Sequence, residues 1–376
     1  MKTRHDLILC LPTIACFHFA APSSGELNLA TIFGENMILQ REMPVPIWGI
    51  GAPGEKIFMT FAGQEKSVIA GPSGEWLIRL NPMPASNKQR EMVVSCPGVK
   101  TRPIVLKGVL VGDVWLVLMN GGSDRLENVG FGLPHPVNRY TAMDFRGQKP
   151  DSRPQKKYGK QRAWVPSGHK WGNDGLSYFF SQRLHRELDV PIGVIRLLTG
   201  NLDSIIPRSG LRAVPELEDQ SDTVESRFPS TPKGRKVFGA WLQDAKAWAG
   251  KMRQSFEQNQ EVVPSLPPVA PSSADLNWST PTVVYNTVIN PLVPFGVRGV
   301  VMSSADTNSD DSLYVQKIKA LQIGLSEKFG QPELPLCFTQ RGLSNFYSLD
   351  SLATDLDLDA WAGHRDRQRR AAAATG

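Results

Sequence analysis

An apolar run at residues 109–119 constrains the fold of this 376-residue chain more than any other feature. Asp113 is the one charged side chain in the run, and a stretch of this composition predicts a strand buried on both faces of a sheet. The turn that follows contains Gly121, Gly122 and Ser123. Small residues in this place are typical of an ordinary turn. They also allow a serine hydroxyl to lie at the mouth of an α/β sheet, where esterases place their nucleophile.

Further strands and helices alternate after this run, which predicts a parallel sheet with helices on both faces. Apolar runs predict strands at residues 190–195, 299–302 and 334–339, and helical spacing predicts helices at 178–188 and 313–329. In the first helix we expect four side chains to face inward: Phe179, Phe180, Leu184 and Leu188. In the last strand we expect Cys337 to be a buried free thiol.

The segment before the run is all-β in character. From residue 27 to residue 106, short apolar runs alternate with turns rich in glycine and proline, which predicts a small β-sandwich. Residues 56–61 alternate in the strand pattern, with Ile57, Met59 and Phe61 on one face. Trp48 and Trp76 are predicted to belong to the core of this sandwich.

Residues 210–274 read as an insertion into the α/β part. Within it, an apolar stripe predicts one amphipathic helix whose aromatic side chains serve packing: Trp241, Ala245, Trp248, Met252 and Phe256. Residues 264–273 are too rich in proline for regular structure and are interpreted as a linker.

The start of the chain is typical of an export signal. Lys2 and Arg4 precede an apolar stretch at residues 7–19, which is too short to span a bilayer, so we expect a signal peptide and a periplasmic or secreted protein. The net charge of +6 comes largely from runs at 146–162 and 365–370. The first run contains one aromatic residue, Tyr158, and the second contains none, which argues against nucleic-acid binding. The histidines and cysteines show no metal-ligand spacing, so no metal is expected.

Five segments of the chain resemble the sialate O-acetylesterase family, a branch of the SGNH hydrolases. They are residues 29–49, 108–116, 178–188, 190–195 and 285–301. The resemblance implies an α/β fold: a flavodoxin-like SGNH hydrolase domain with a parallel sheet, preceded by an N-terminal β-sandwich domain. The expected boundaries are a signal peptide at 1–25, the β-sandwich at 26–108, the SGNH domain at 109–209 and 275–376, and the insertion with its linker at 210–274.

The resemblance also assigns candidate catalytic residues, in blocks that differ from those of the family. Ser123 takes the position of the nucleophile if a gap of two residues is allowed before it. Gly200 matches the glycine whose backbone N–H serves an oxyanion hole, and Asn308 matches the asparagine of the third block. In that block Ser304 and Asp306 replace the family's glutamine and glutamate.

The fourth block of the family, Asp-X-X-His, supplies the general base and the acid that orients it. The chain ends at Gly376 before any match to this block, so the C-terminal part is expected to be truncated. His364 is then the candidate base. His169 and His185 are weaker candidates, since they are predicted on a loop and on a helix face.

The function implied by the resemblance is carboxyl-ester hydrolysis, in which O-acetyl groups are removed from sialic acid or a related acetylated glycan without a cofactor. Two alternatives stay open. One is a pseudo-esterase that binds a glycan without cutting it, because loss of the base of a catalytic triad typically costs about 10⁴–10⁶ in kcat. The other is a truncated gene product that lacks an element of the sheet. The expected partner is an acetylated sugar, and the oligomeric state is left open.

Overall fold

In a computed structural model of the chain, the structure describes residues 26–98, 102–120, 135–143, 148–156, 163–167, 175–258, 266–272, 276–303, 312–339 and 358–375. The predicted signal peptide lies outside these residues. The strands are β1 Asn28–Leu29, β2 Ile38–Gln40, β3 Val45–Ile50, β4 Lys56–Phe61, β5 Gln64–Ile69, β6 Glu75–Leu80, β7 Ser86–Ser95, β8 Ile104–Asn120, β9 His135–Met143, β10 Val165–Ser167, β11 Ile192–Thr199, β12 Gly299–Met302 and β13 Leu336–Phe338. The α-helices are α1 Gly175–Leu188, α2 Leu202–Ile205, α3 Arg208–Ala213, α4 Glu218–Glu225, α5 Pro232–Glu257, α6 Tyr314–Phe329 and α7 Leu358–Thr375. Among these residues no helix has both the length and the apolar character needed to cross a membrane.

The described strands form two sheets, one of three antiparallel strands in the order β1-β3-β6 and one of ten strands. Strand β8, with 17 residues, organises the larger sheet. Its first half pairs antiparallel with β7, which leads on to β4 and β5, and its second half pairs parallel with β11 and β12. The protein is therefore a mixed α/β structure with a largely parallel central sheet, as predicted at that level. The expected boundary at residues 108 and 109 falls within β8 and stays a prediction.

The parallel part of the sheet has the order β11-β8-β12-β13, with β9 and β10 beyond β11. Numbered by their order along the chain, these four strands are the second, the first, the third and the fourth. The predicted strands at 190–195, 299–302 and 334–339 are confirmed as β11, β12 and β13, and the predicted helices as α1 and α6. All four residues of β12 are buried, which fits a strand covered on both faces.

The predicted inner face of α1 is partly wrong. Phe179 is 57% exposed and Leu188 is 45% exposed, whereas Ser177 and Ser181 are buried. A hydrogen bond sets this orientation of the helix, because the hydroxyl of Tyr140 on β9 donates to the backbone oxygen of Ser177 at 3.1 Å. The helix thus turns Ser177 and Ser181 to the sheet. Phe180 and Leu184 pack against the core as predicted, whereas Phe179 and Leu188 face outward.

The prediction of a buried thiol at Cys337 is also wrong, because Cys337 is exposed. Alternate residues of a strand face opposite sides of the sheet. Leu336 and Phe338 pack against the core, so Cys337 between them points away from it. Among the described strands, β13 pairs only with β12 and is the outer strand on this side.

The N-terminal strands follow the predicted alternation closely. In β4 the side chains of Ile57, Met59 and Phe61 are buried and those between them are exposed. The Trp76 side chain is 3% exposed and belongs to the core, as predicted. Trp48 is only half-buried and packs edge-on against Phe33, with ring centroids 4.8 Å apart.

The insertion contains the predicted amphipathic helix, α5, and its apolar stripe is less buried than expected. The indole N–H of Trp241 donates to the backbone oxygen of Pro268 at 3.0 Å, so the proline-rich segment packs along this face. Phe256 is 82% exposed, and the expectation that it serves packing is wrong among the described residues.

A buried ion pair lies where β8 changes partners. The Asp113 side chain is 1% exposed, and its carboxylate receives hydrogen bonds from Arg41 Nε at 2.9 Å and Arg41 Nη2 at 3.1 Å. Gln40 Nε2 donates to the same carboxylate at 3.1 Å, while Gln40 Oε1 accepts from the backbone N–H of Val114 at 2.8 Å. The backbone N–H of Asp113 donates to Pro191, just before β11. This cluster joins β2, β8 and β11.

A second charge cluster, in which Glu225 is largely buried and the two arginines are partly exposed, holds α3 against α4. Glu225 accepts hydrogen bonds from Arg208 and from both Nε and Nη2 of Arg212 at 2.7 Å, and the Arg208 guanidinium lies 4.0 Å from the Phe228 ring centroid. Burial disfavours the ionised carboxylate, but the hydrogen bonds and positive charges of the two arginines outweigh burial. They lower the pKa of Glu225 to about 2.

Replacing Asp113 with asparagine is expected to lower the free energy of unfolding by about 3 kcal/mol, because it leaves the partly buried Arg41 guanidinium with only the exposed Glu42 as a counter-charge. Urea unfolding followed by circular dichroism measures the change. Asp244→Asn, at an exposed position on α5, serves as the control and is expected to change stability by less than about 0.5 kcal/mol. Equal stability of the two variants would show that the cluster does not hold the sheet.

The stabilisation by Glu225 is expected to depend on pH. Its folded pKa of about 2 lies below the unfolded value of about 4.3, so its contribution is complete above about pH 5 and is lost as the pH falls towards 2. The difference in unfolding free energy between the wild type and Glu225→Gln should therefore shrink between pH 5 and pH 2. Glu216→Gln, at an exposed position, should show no such trend. A difference that is constant with pH would contradict the assignment.

Candidate functional site

The carboxyl ends of four parallel strands lie along one edge of the sheet, here called the carboxyl edge. Thr199, the last residue of β11, pairs with Asn120, the last residue of β8, and its hydroxyl donates to the backbone oxygen of Met119 at 3.0 Å. After β12, the backbone N–H of Ser303 donates to Leu118 at 2.9 Å. The ends of β8, β11 and β12 are therefore level and hydrogen-bonded to one another.

The crevice of such a sheet lies where the strand order reverses. With β11 and β12 on opposite sides of β8, that point lies beside the carboxyl ends of β8 and β12. Ser123 follows β8 and Asn308 follows β12, and both positions lie outside the described residues. Ser303, the last described residue after β12, is 4% exposed, and its hydroxyl has no hydrogen-bond partner among the described residues. A buried hydroxyl at this edge was not among the sequence predictions.

Gly200 stands at the same edge, directly after β11. A Cβ atom at this position would lie 2.8 Å from the backbone oxygen of Trp278 and 3.1 Å from Ser204 Oγ, so the close approach of two backbones requires glycine here. Asn201 then caps α2, since its side chain accepts from the backbone N–H of Ser204 at 3.1 Å. The loop that carries Gly200 is held tightly on both sides.

A buried ion pair fixes the base of this loop. Lys317 on α6, with an 8% exposed side chain, lies 2.8 Å from the carboxylate of Asp203 on α2. The backbone oxygen of Asp203 also accepts from Thr282 at 3.1 Å. Sequence reasoning missed this pair. Asn201 followed by a short apolar and acidic segment is a helix-start signal, but no local pattern links residue 203 to residue 317.

His364 lies in α7, and its side chain is outside the described residues. One helical turn further along, Gln368 Nε2 donates to the backbone oxygen of Thr339, just after β13. Later in the helix Ala371 is buried, and Gln322 on α6 donates to the backbone oxygen of Thr375 at 3.0 Å. The backbone of His364 is therefore one helical turn from Gln368, whose side chain contacts the residue after β13. Two strand spacings, or about 10 Å, separate β13 from β8.

His185 belongs to the opposite edge of the sheet. Its Nδ1 lies 2.7 Å from the backbone oxygen of Val190, which comes just before the start of β11. The length of β11 separates it from the carboxyl edge, so His185 does not serve that edge. Within the described part of the chain, no group of three or more His, Cys, Asp and Glu side chains is arranged to hold a metal ion.

The chain is similar to known proteins along most of its length, although no family model matches it. The Sialate O-acetylesterase of Rattus norvegicus is 24% identical over 86% of this chain and 61% of that protein. The Sialate O-acetylesterase of Mus musculus is 34% identical over 75% of this chain and 52% of that protein. The chain therefore spans 52–61% of the length of these curated relatives.

A crystal structure with the same overall fold is that of a carbohydrate acetylesterase from Xanthomonas citri. The TM-score is 0.62 at 20% sequence identity, over 92% of this chain and 66% of that one. A solved protein therefore shares the α/β architecture described above.

The substitution Gly200→Ala is expected to destabilise the protein by about 1–3 kcal/mol, because the added methyl group meets the backbone of Trp278 rather than a movable side chain. Gly239→Ala is the matched control, since a Cβ atom there meets nothing within 4 Å. In the middle of α5 it should stabilise the helix by up to about 1 kcal/mol. Opposite shifts of Tm in a thermal scan support the tight loop, and shifts of equal sign and size contradict it.

Proposed function

We propose that this chain, a relative of the sialate O-acetylesterases, is an O-acetyl ester hydrolase that acts on acetylated carbohydrates, sialic acid among them. The activity proposed is that of the complete relatives, although this chain spans only 52–61% of their length. No cofactor is invoked, since ester hydrolysis needs only a nucleophile, a base and donors for the oxyanion.

The observation that carries the proposal is the arrangement of the strand ends. The segments that contain Ser123, Gly200 and Asn308 follow three neighbouring parallel strands, β8, β11 and β12, whose carboxyl ends are level. A hydrolase of this kind needs its nucleophile and its oxyanion donors to come from separate chain segments that meet at one edge. The tight loop at Gly200 gives one such donor a rigid support.

In the proposed reaction, Ser123 Oγ attacks the carbonyl carbon of the acetyl group as a base removes its proton. The backbone N–H groups of Ser123 and Gly200, with the side chain of Asn308, stabilise the negative charge on the carbonyl oxygen. The sugar oxygen leaves with the proton held by the base, and the acetyl group stays on the serine. A water molecule then attacks this ester, which releases acetate and restores the serine hydroxyl.

The base of the proposed reaction is a histidine late in the chain. We assign it to His364, because α7 runs from the neighbourhood of β13 along α6 and carries the one late histidine of the chain. For this role, the His364 side chain has to come within hydrogen-bond distance of Ser123 Oγ. If no base reaches Ser123, the same edge serves as a binding site for an acetylated sugar without hydrolysis.

The finer features of the fold are also proposed. We infer that the strands β1–β7 form a β-sandwich with the first half of β8, and that the order β11-β8-β12-β13 is the start of a flavodoxin-like SGNH sheet. We infer as well that the protein is exported, on the basis of the basic start and the apolar stretch at residues 7–19.

Acetate release is the direct test. Wild-type protein should hydrolyse 4-nitrophenyl acetate and 9-O-acetylated sialic acid, and Ser123→Ala should lower kcat by about 10⁴-fold or more, because the acetyl group then has no acceptor. Ser230→Ala, at an exposed position before α5, is the control and should keep the wild-type rate.

His364→Ala separates the two forms of the proposal. A loss of activity close to that of Ser123→Ala, with unchanged Tm, supports His364 as the base. Full activity in this variant shows that a group other than His364 acts as the base. Equal rates for the wild type and Ser123→Ala on both substrates refute hydrolysis by this chain.

A further inference from the structure

A cavity of about 710 Å³ lies between the three-stranded sheet and the segment at 286–294. Its walls include Trp48, Trp76 and Leu77 from the sheet, and Asn290 and Pro294 from the facing segment. Pockets of this volume hold small organic ligands in proteins. No step of the proposed hydrolysis uses it.

The cavity lies away from the carboxyl edge. The segment that forms its far wall leads into β12, whose first residue, Gly299, pairs with Trp115 on β8. Five residues of β8 separate Trp115 from Asn120, and they span about 17 Å. The cavity is therefore at the opposite end of β12 from the position where Ser123 and Asn308 leave the sheet.

The chemistry of the walls is divided between apolar and polar groups. The Trp48 indole ring and the Leu77 side chain, which lie on the same face of the paired strands, form apolar surface, while Glu75 and Lys156 form an ion pair at the rim. The Trp76 ring lies in the core on the other face of β6, so the indole that faces the cavity is that of Trp48.

The rim is anchored to the facing segment, so the cavity is preformed. The backbone N–H of Gln155, next to Lys156, donates to Asn286 at 2.8 Å, and Asn290 Nδ2 donates to the backbone oxygen of Gln155 at 2.9 Å. The three-stranded sheet closes the other side through β3 and β6, which pair along their full length. Ligand binding here does not require either wall to order first.

A sugar ring matches these walls better than other small ligands do. One side of a pyranose carries C–H groups that pack on an indole ring, and its edge carries hydroxyl groups that both donate and accept hydrogen bonds. A wholly apolar ligand would leave the ion pair without new partners. A highly charged ligand would have to face the Trp48 ring and Leu77.

We propose that this cavity is a second carbohydrate-binding site, which holds a non-acetylated sugar residue of the glycan away from the reacting ester. The choice of a glycan as ligand rests on the proposed function. A distal subsite of this kind adds affinity for a longer glycan through a second point of attachment.

The test measures binding of 3′-sialyllactose, which has no acetyl ester to hydrolyse, by isothermal titration calorimetry with the full chain. Thr31 is exposed on the rim of the cavity, so Thr31→Trp should fill the opening without disturbing the core. Thr60→Trp places the same side chain on the exposed face of β4 and is the matched control. Trp48→Leu removes one indole ring from the wall, and Tm is measured for each variant.

Affinity should fall about tenfold or more in Thr31→Trp and Trp48→Leu, and stay at the wild-type value in Thr60→Trp. Unchanged affinity in Thr31→Trp overturns the proposal, as does wild-type protein that binds no sialyllactose. Hydrolysis of 4-nitrophenyl acetate should be unaffected in Thr31→Trp, since that substrate has no sugar. If the wild type does not hydrolyse the ester, the proposed reaction is refuted. The proposed sugar site is not, because binding at the cavity is measured separately.

Discussion

Strand β8 changes partners halfway along its length, and the arrangement of the other strands follows from that change. Its first half pairs with β7 in an antiparallel sheet, and its second half lies between β11 and β12 in a parallel one. At the crossing point the Asp113 carboxylate is held by Arg41 and Gln40. A register shift would separate this buried charge from its partners, which costs free energy. The N-terminal strands and the α/β part are thereby one continuous structure through a shared strand.

The carboxyl edge depends on this register. Because β8 is level with β11 and β12, the chain segments that leave these strands start side by side. The described residues add rigidity to one of them, since Gly200 allows two backbones to approach and the pair Asp203–Lys317 ties the following helix to α6. The proposed catalytic role of this edge needs such support, because small displacements of an oxyanion donor weaken its interaction with developing charge.

The cavity beside Trp48 has a different origin. It arises where the three-stranded sheet meets the segment before β12, so it is a product of the same continuity between the N-terminal strands and the α/β part. The cavity and the carboxyl edge lie at opposite ends of β12, so the proposed glycan would be held at one end and presented for reaction at the other.

Local patterns in the sequence determined the elements of this protein. The run at 109–119 and the alternation at 56–61 specified β8 and β4, because strand periodicity is carried by neighbouring residues. Motif similarity pointed to the right relatives for the same reason. The tertiary structure decided which faces were buried, as α1 shows by turning Ser177 inward and Cys337 by facing outward. It also decided the pairs Arg41–Asp113 and Asp203–Lys317, whose members are 72 and 114 residues apart. No local pattern encodes such partners, because their contact depends on how the whole chain closes around β8.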